Sequence, residues 1–239
     1  MANGKWKMEN VKTRSSGLPV AYSIFHFPFS MFLLLLLLLL PGCTWVHALS
    51  SKVMGPEPVE AQYIPLPEPM LVLVENFRAA STTQLDAEML TRYINTELTE
   101  HNIAPVIDFD KLAALRTDPT MNFREMKIDA IGRAVGAKQI LYVDLVSTSV
   151  AAPIGGEVYV GRAAARVKIV DATTGETRWP SDITEGAPMS YQTPSIPAEK
   201  GGDDPMRVRQ RLDEALAGRI GRLFYKWSPE DVKDSDLQD

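Results

Sequence analysis

The sequence predicts an α/β (α+β) domain in which a single mixed sheet of four to five strands is packed by three helices, after a signal peptide and a Pro-rich tether. Three observations predict it. The apolar runs at 70–74 and 139–146 have the length and composition of strands buried on both faces. Residues 158–170 alternate apolar with polar, as a half-buried strand does. Elsewhere apolar residues recur at helical spacing. A length of 239 residues leaves room for one domain of ordinary size with appendages.

The chain opens on a leader, residues 1–42. Lys5, Lys7, Lys12 and Arg14 precede an apolar stretch at 21–40 that ends in eight consecutive leucines, the pattern of a secretory signal. Leu40-Pro41-Gly42-Cys43 then resembles the lipobox of bacterial lipoproteins, with Pro41 where that motif carries a small residue. The resemblance implies diacylglyceryl transfer to the thiol of Cys43. Three readings stay open here: lipidation at Cys43, cleavage after Val46-His47-Ala48, and an uncleaved anchor, since about 20 apolar residues span a bilayer. All three place the rest of the chain outside the cytoplasm, because the basic flank stays inside. By the same resemblance Thr44, standing where an aspartate would retain a lipoprotein, implies the outer membrane, facing the periplasm.

Residues 43–69 carry Pro56, Pro58, Pro65, Pro67 and Pro69 and few apolar positions, so the lipidated cysteine is expected to lead into an extended spacer. Docking of Tyr63 and Ile64 on the domain is the alternative. The domain is expected at 70–227. After its first strand, Leu85, Met89, Tyr93, Ile94 and Leu98 mark a helix that Ser81, Thr82 or Thr83 can cap and that ends near His101. Residues 105–109 predict an edge strand, because Pro105 removes a ladder donor. Phe123, Met126, Ala130, Ile131 and Val135 predict a second helix that Gly136 stops in a left-handed conformation.

In the alternating strand Ala163, Ala165, Val167 and Ile169 face one way and Arg162, Arg166 and Lys168 the other. A turn at 171–175 leads to a short returning strand that Pro180 ends. Residues 181–203 predict a long loop with one short strand around 189–192. The clearest helix is the last: Asp204 and Pro205 open it, and Val208, Leu212, Ala215, Leu216, Ile220, Leu223, Phe224 and Trp227 form a wide apolar stripe. Residues 228–239 are expected to be an acidic disordered tail.

Composition excludes several classes. Removing Lys5, Lys7, Lys12, Arg14 and Glu9 with the leader leaves 21 basic and 29 acidic residues, a net charge of −8. Such a body has no overall field to attract nucleic acid. A single cysteine allows no internal disulfide and no Cys-based zinc site. His26, His47 and His101 stand at no ligand spacing, so neither a metal nor a Ser–His–Asp arrangement is expected, and no cofactor motif is present. Ile154-Gly155-Gly156-Glu157 lacks the lysine of a phosphate loop and reads as a turn.

Two stretches carry a family resemblance. Residues 131–143, Ile-Gly-Arg-Ala-Val-Gly-Ala-Lys-Gln-Ile-Leu-Tyr-Val, make a helix–glycine–alanine–strand step, and 167–179 make a strand–Asp-x-x-Thr-Gly-Glu–strand hairpin. Both resemble the small α/β domain shared by the N-terminal part of TolB, the curli-secretion lipoprotein and the lipoprotein activators of penicillin-binding proteins. The resemblance implies a domain without an active site that assembles with envelope proteins. No pair of long alternating segments is available for membrane-spanning hairpins.

The reading is therefore a non-catalytic, membrane-anchored envelope scaffold or assembly factor acting through protein–protein contacts, homo-oligomerisation included. A ring-forming subunit of polysaccharide or protein export is one alternative. A carboxylate-dependent envelope enzyme is the other, and it needs Asp108, Asp110 or Asp144 to meet in a cleft. Candidate contact residues are Arg162, Arg166, Lys168 and Arg178 on the basic side of the sheet, and Tyr191 on the long loop.

Overall fold

The computed structural model describes residues 56–76, 84–152, 158–198 and 204–232. The leader, Cys43, the caps expected at Ser81–Thr83, the turn at 154–157 and the end of the acidic tail lie outside the described residues. Strand β1 (Met70–Glu75) is buried at every position, as its unbroken apolar run requires. It pairs in parallel with β2 (Gln139–Ala151), Met70 opposite Gln139 and Glu75 opposite Asp144. β2 runs antiparallel to β3 (Val158–Asp171), whose outer edge is paired end to end by three short segments. These are β4 (Thr177–Trp179), β5 (Ala187–Gln192) and β6 (Ile196–Pro197). The sheet is mixed as expected, but it has six strands among the described residues because the long loop is stitched to β3.

Four helices pack the sheet among the described residues, where three were expected. On one face lie α1 (Gln84–Glu100) and α4 (Asp204–Gly221). Leu90, Ile94 and Leu98 meet Leu212, Leu216 and Ile220 in one cluster with Val72, Val143 and Val167. Each fully buried side chain of this kind contributes about 1.5–3 kcal/mol. The other face holds a smaller cluster, in which α2 (Phe109–Thr117) and α3 (Ile128–Ala134) cover Leu71, Leu73 and Ile140.

The expected edge strand at 105–109 is reduced to one bridge between Val106 and Met70. Its pairing stops because the Asp108 carboxylate accepts the Asp110 amide and caps α2, turning the chain into helix. The second expected helix is broken as well. A 3₁₀ turn at Phe123–Glu125 is separated from α3 by extended Met126 and Lys127. Gly136 ends α3 at φ +82, as anticipated.

The Pro-rich stretch departs most from its expected role as a spacer. Residues 56–69 form a strap held on the domain. Val59 and Trp227 exchange backbone hydrogen bonds, and the amides of Gln62 and Tyr63 both donate to the Leu223 carbonyl. Tyr63 packs against the larger core. At the far end the Gln139 side-chain amide, fully buried, donates to the carbonyls of Leu66 (2.7 Å) and Glu68 (3.0 Å). Prolines favour an extended backbone but leave its carbonyls free to accept bonds, and the domain supplies the donors. The C-terminal segment is likewise ordered through Val232, with Ser228 capping a 3₁₀ turn at Pro229–Asp231.

Gly186 permits the close approach of the β5 lead-in to β3. Its φ is +105, and a Cβ there would stand 2.9 Å from the Val167 carbonyl oxygen, whereas at Gly136 a Cβ would meet nothing within 4 Å. Gly186→Ala is therefore expected to cost about 1–3 kcal/mol in urea unfolding and more than Gly136→Ala does. Equal losses in the two variants would contradict the close approach.

Candidate functional site

The sequence-predicted contact residues are placed by the alternation of β3. Arg162, Arg166 and Lys168 lie on the face opposite the larger core, beyond the part that α2 and α3 cover. Each has a neighbour within the domain. Arg162 Nε donates to Gln192 Oε1 at 2.7 Å, and Arg166 is ion-paired with Glu185. Lys168 Nζ donates to the Thr184 carbonyl at 3.4 Å and sits 5.4 Å from the centre of the Tyr142 ring.

Arg178 does not join this row. It clamps the hairpin, 2.6 Å from Asp171 Oδ2 and 3.5 Å from Glu68 on the strap. The guanidinium beside Asp171 holds that carboxyl down at about 2. Tyr191 is held in a strand and not on an exposed loop, and it lines a groove along α4. It lies in β5 opposite Ala163, only 5% exposed, where the small partner leaves room for its ring in the core. Arg219 covers the ring, 5.0 Å from its centre.

The carboxylates that an enzyme would need are separated. Asp108 follows Ile107, whose amide donates to the Met70 carbonyl at the start of β1. Asp144 pairs with Glu75 at the other end of β1. Asp118 accepts from the amide and hydroxyl of Thr120 in a local turn, which lowers its pKa. Glu75 is raised by burial, against the pull of Arg116 at 3.4 Å. Among the described residues no three metal-ligating side chains gather.

Sequence reasoning missed a groove of about 940 Å³. Its floor is one stripe of α4 and the residue that follows it: Arg211, Ala215, Gly218 and Arg222. One wall is the β5–β6 connection with Pro194, Ile196 and Pro197; the other is built from His101, Tyr225 and Trp227. His101, at the end of α1, stacks on Tyr225 at 3.8 Å between ring centres. The Tyr225 hydroxyl donates to Glu97 Oε1 at 2.7 Å, and burial, with Glu97 beside it, pushes its pKa up. The signal for the groove was present in the last helix, where Gly218 interrupts the side-chain row with open space above it. The walls come from segments distant in sequence, which no local pattern joins.

No family model and no curated protein sequence matches the chain. In structure it is similar to lipoprotein GNA1162 from Neisseria meningitidis, with 14% identity, a TM-score of 0.41, and coverage of 64% of this chain and 98% of that one. It is also similar to the LpoB C-terminal domain from Escherichia coli, with 18% identity, 62% and 93% coverage and a TM-score of 0.35. A PelC dodecamer from Paraburkholderia phytofirmans gives 10% identity, 70% and 96% coverage and a TM-score of 0.36. Two of the structural neighbours are described as lipoproteins, GNA1162 and a minor lipoprotein from Acinetobacter baumannii. With TM-scores below 0.5 these similarities carry nothing about function.

Beside the groove, α1 and α4 enclose Asp213, 7% exposed and 3.5 Å from Arg209 Nε. Burial pushes its carboxyl up to about 7; Arg209 opposes this and Asp86 adds to it. The folded protein thus keeps a proton that the unfolded chain releases near pH 3.8. Stability is expected to fall as pH rises from about 4 to 7 and to level off above that. Thermal melts across this range should show a smaller decline for Asp213→Asn than for the parent. The same decline in both would contradict the assignment.

Proposed function

We propose that this chain is a lipid-anchored envelope protein, acylated at Cys43 and held at the outer membrane facing the periplasm. There it acts as a non-catalytic scaffold or assembly factor through protein contacts. On this reading residues 1–42 are a cleaved signal and residues 56–232 are the working body. The observation that carries it is the strap. Because the chain is fixed to the domain from Val59 onward, only residues 44–58 separate the cysteine of the lipobox from the first bonded position of the folded body.

Fifteen residues reach about 50 Å at full extension, so the body stays near the bilayer. A short leash suits a protein that meets partners at the membrane and raises their effective concentration there. Asp108 is taken up in capping α2, which supports binding over chemistry by that carboxylate. The groove along α4 and the outward Arg162 are the surfaces offered to a partner.

Mass spectrometry of the native protein is expected to find a mature chain that begins at an acylated Cys43 and fractionates with membranes. Cys43→Ala is expected to lose the acyl mass. A native chain beginning at Met1, or one cut after Ala48, would overturn the anchoring.

A further inference from the structure

The strap has two sides. From 61 to 66 its residues alternate, with Ala61, Tyr63 and Pro65 turned toward the domain and Gln62, Ile64 and Leu66 exposed. The inward set and the backbone do the docking, through Tyr63 on the larger core and the amides that donate to Leu223. Ile64 is 78% exposed, more than any other large apolar side chain among the described residues, and Leu66 is 44% exposed. Successive outward positions of an extended chain stand about 7 Å apart, so the two side chains make one apolar edge. Exposed Pro67 continues it.

Elsewhere on the body exposed large apolar residues are scattered, Met89 on α1, Met121 and Ile183 between elements and Met206 on α4, as on most protein surfaces. Only the strap gathers them, with Val59 as a third. The charges beside the edge cancel. Lys226 stands 2.6 Å from Glu60, and Arg178 stands 3.5 Å from Glu68. Glu57 at one end of the strap and Lys138, whose amide holds the other end at Pro69, are exposed, have no ion pair among the described residues and are opposite in sign. An apolar edge with balanced flanks fits the boundary between acyl chains and head groups, and it asks for no particular lipid charge.

What lies against the edge follows from the covalent path. Residues 44–58 alone join Cys43 to the first bonded position of the strap, and Ile64 comes five residues later, so the strap is the part of the body that an acyl group on Cys43 holds nearest. We infer that Ile64 and Leu66 enter the surface of the bilayer, so that the domain sits on the membrane strap side down and does not hang at the end of its leash. The inference rests on acylation at Cys43 and adds an orientation to it. The opposite end of the body is then the end turned away from the lipid. It is marked by exposed Ala151, which closes β2 about 35–40 Å from Gln139, the residue bonded to the Leu66 carbonyl.

The test attaches an environment-sensitive fluorophore to a single added cysteine of the acylated protein, in vesicles of phosphatidylethanolamine and phosphatidylglycerol doped with lipids that carry nitroxide quenchers on their acyl chains. The parent has one cysteine, Cys43, and acylated it is expected to take no label. Gln62→Cys leaves both apolar side chains in place and should be quenched at least about threefold more than Ala151→Cys. Adding Ile64→Glu and Leu66→Glu should bring Gln62→Cys down to the level of Ala151→Cys, with the acyl mass and the circular dichroism of the parent. The inference is overturned if the two probe positions are quenched alike, a comparison that decides even where the glutamate variant fails to fold. It is equally overturned if a folded glutamate variant is quenched as before. Blue-shifted emission without quenching, growing with protein density in the vesicles, would overturn it in favour of a second copy of the chain on the edge. Labelling of the parent at Cys43 reports separately on the anchor, and it would remove the ground for the seat as well.

Discussion

A buried glutamine holds the two ends of this fold in place. Gln139 begins β2 beside the first residue of β1, and its side-chain amide gives both of its hydrogens to carbonyls of the strap. Among the described residues its Oε1 accepts no hydrogen bond. The backbone beside it reinforces the hold, since the amides of Lys138 and Gln139 donate to the Pro69 carbonyl. The strap then continues to the end of α4, where Leu223 and Trp227 take it up. One stretch of chain thus joins the first strand to the last helix.

From that constraint the rest of the arrangement follows. With the strap and the C-terminal segment paired, Trp227 and Tyr225 are held beside the end of α1, and they become a wall facing the β5–β6 connection. β3 supplies the other fixed reference. Its inner edge is given to β2 and its outer edge to three successive short strands, so the segment that closes the groove is stitched to the sheet. Thr193 fixes the stitch, its hydroxyl accepting the Gly161 amide and its own amide donating to the Gly161 carbonyl.

What the sequence disclosed depended on how local the physics was. β1, β3 and α4 were legible because burial writes its period directly into consecutive residues, and Gly136 was legible because a left-handed stop is a property of one residue. The strap was misread since prolines announce extension but not what the extended carbonyls bond to, and Gln139 lies some seventy positions from its partners. Tyr191 was read as an anchor because a stretch with Pro188 and Pro194 has no visible period, yet its register opposite Ala163 places it inside. α2 was hidden by its short length and by Asp108, whose capping role competes with the strand that Val106 begins. The basic row on β3 was correctly oriented. Its engagement by Gln192, Glu185 and Thr184 came from the stitched loop, which the sequence did not assign to the sheet.

Amide hydrogen exchange of the full-length protein tests the strap most directly, since free extended chain and docked chain differ by orders of magnitude in protection. The amides of Val59, Gln62 and Tyr63 are predicted to exchange on the timescale of the buried α4 amides around Leu216, because opening them requires releasing the C-terminal segment. Exchange of all three at the rate of an unstructured peptide, with Leu216 still protected, would contradict the account and restore a long, free tether.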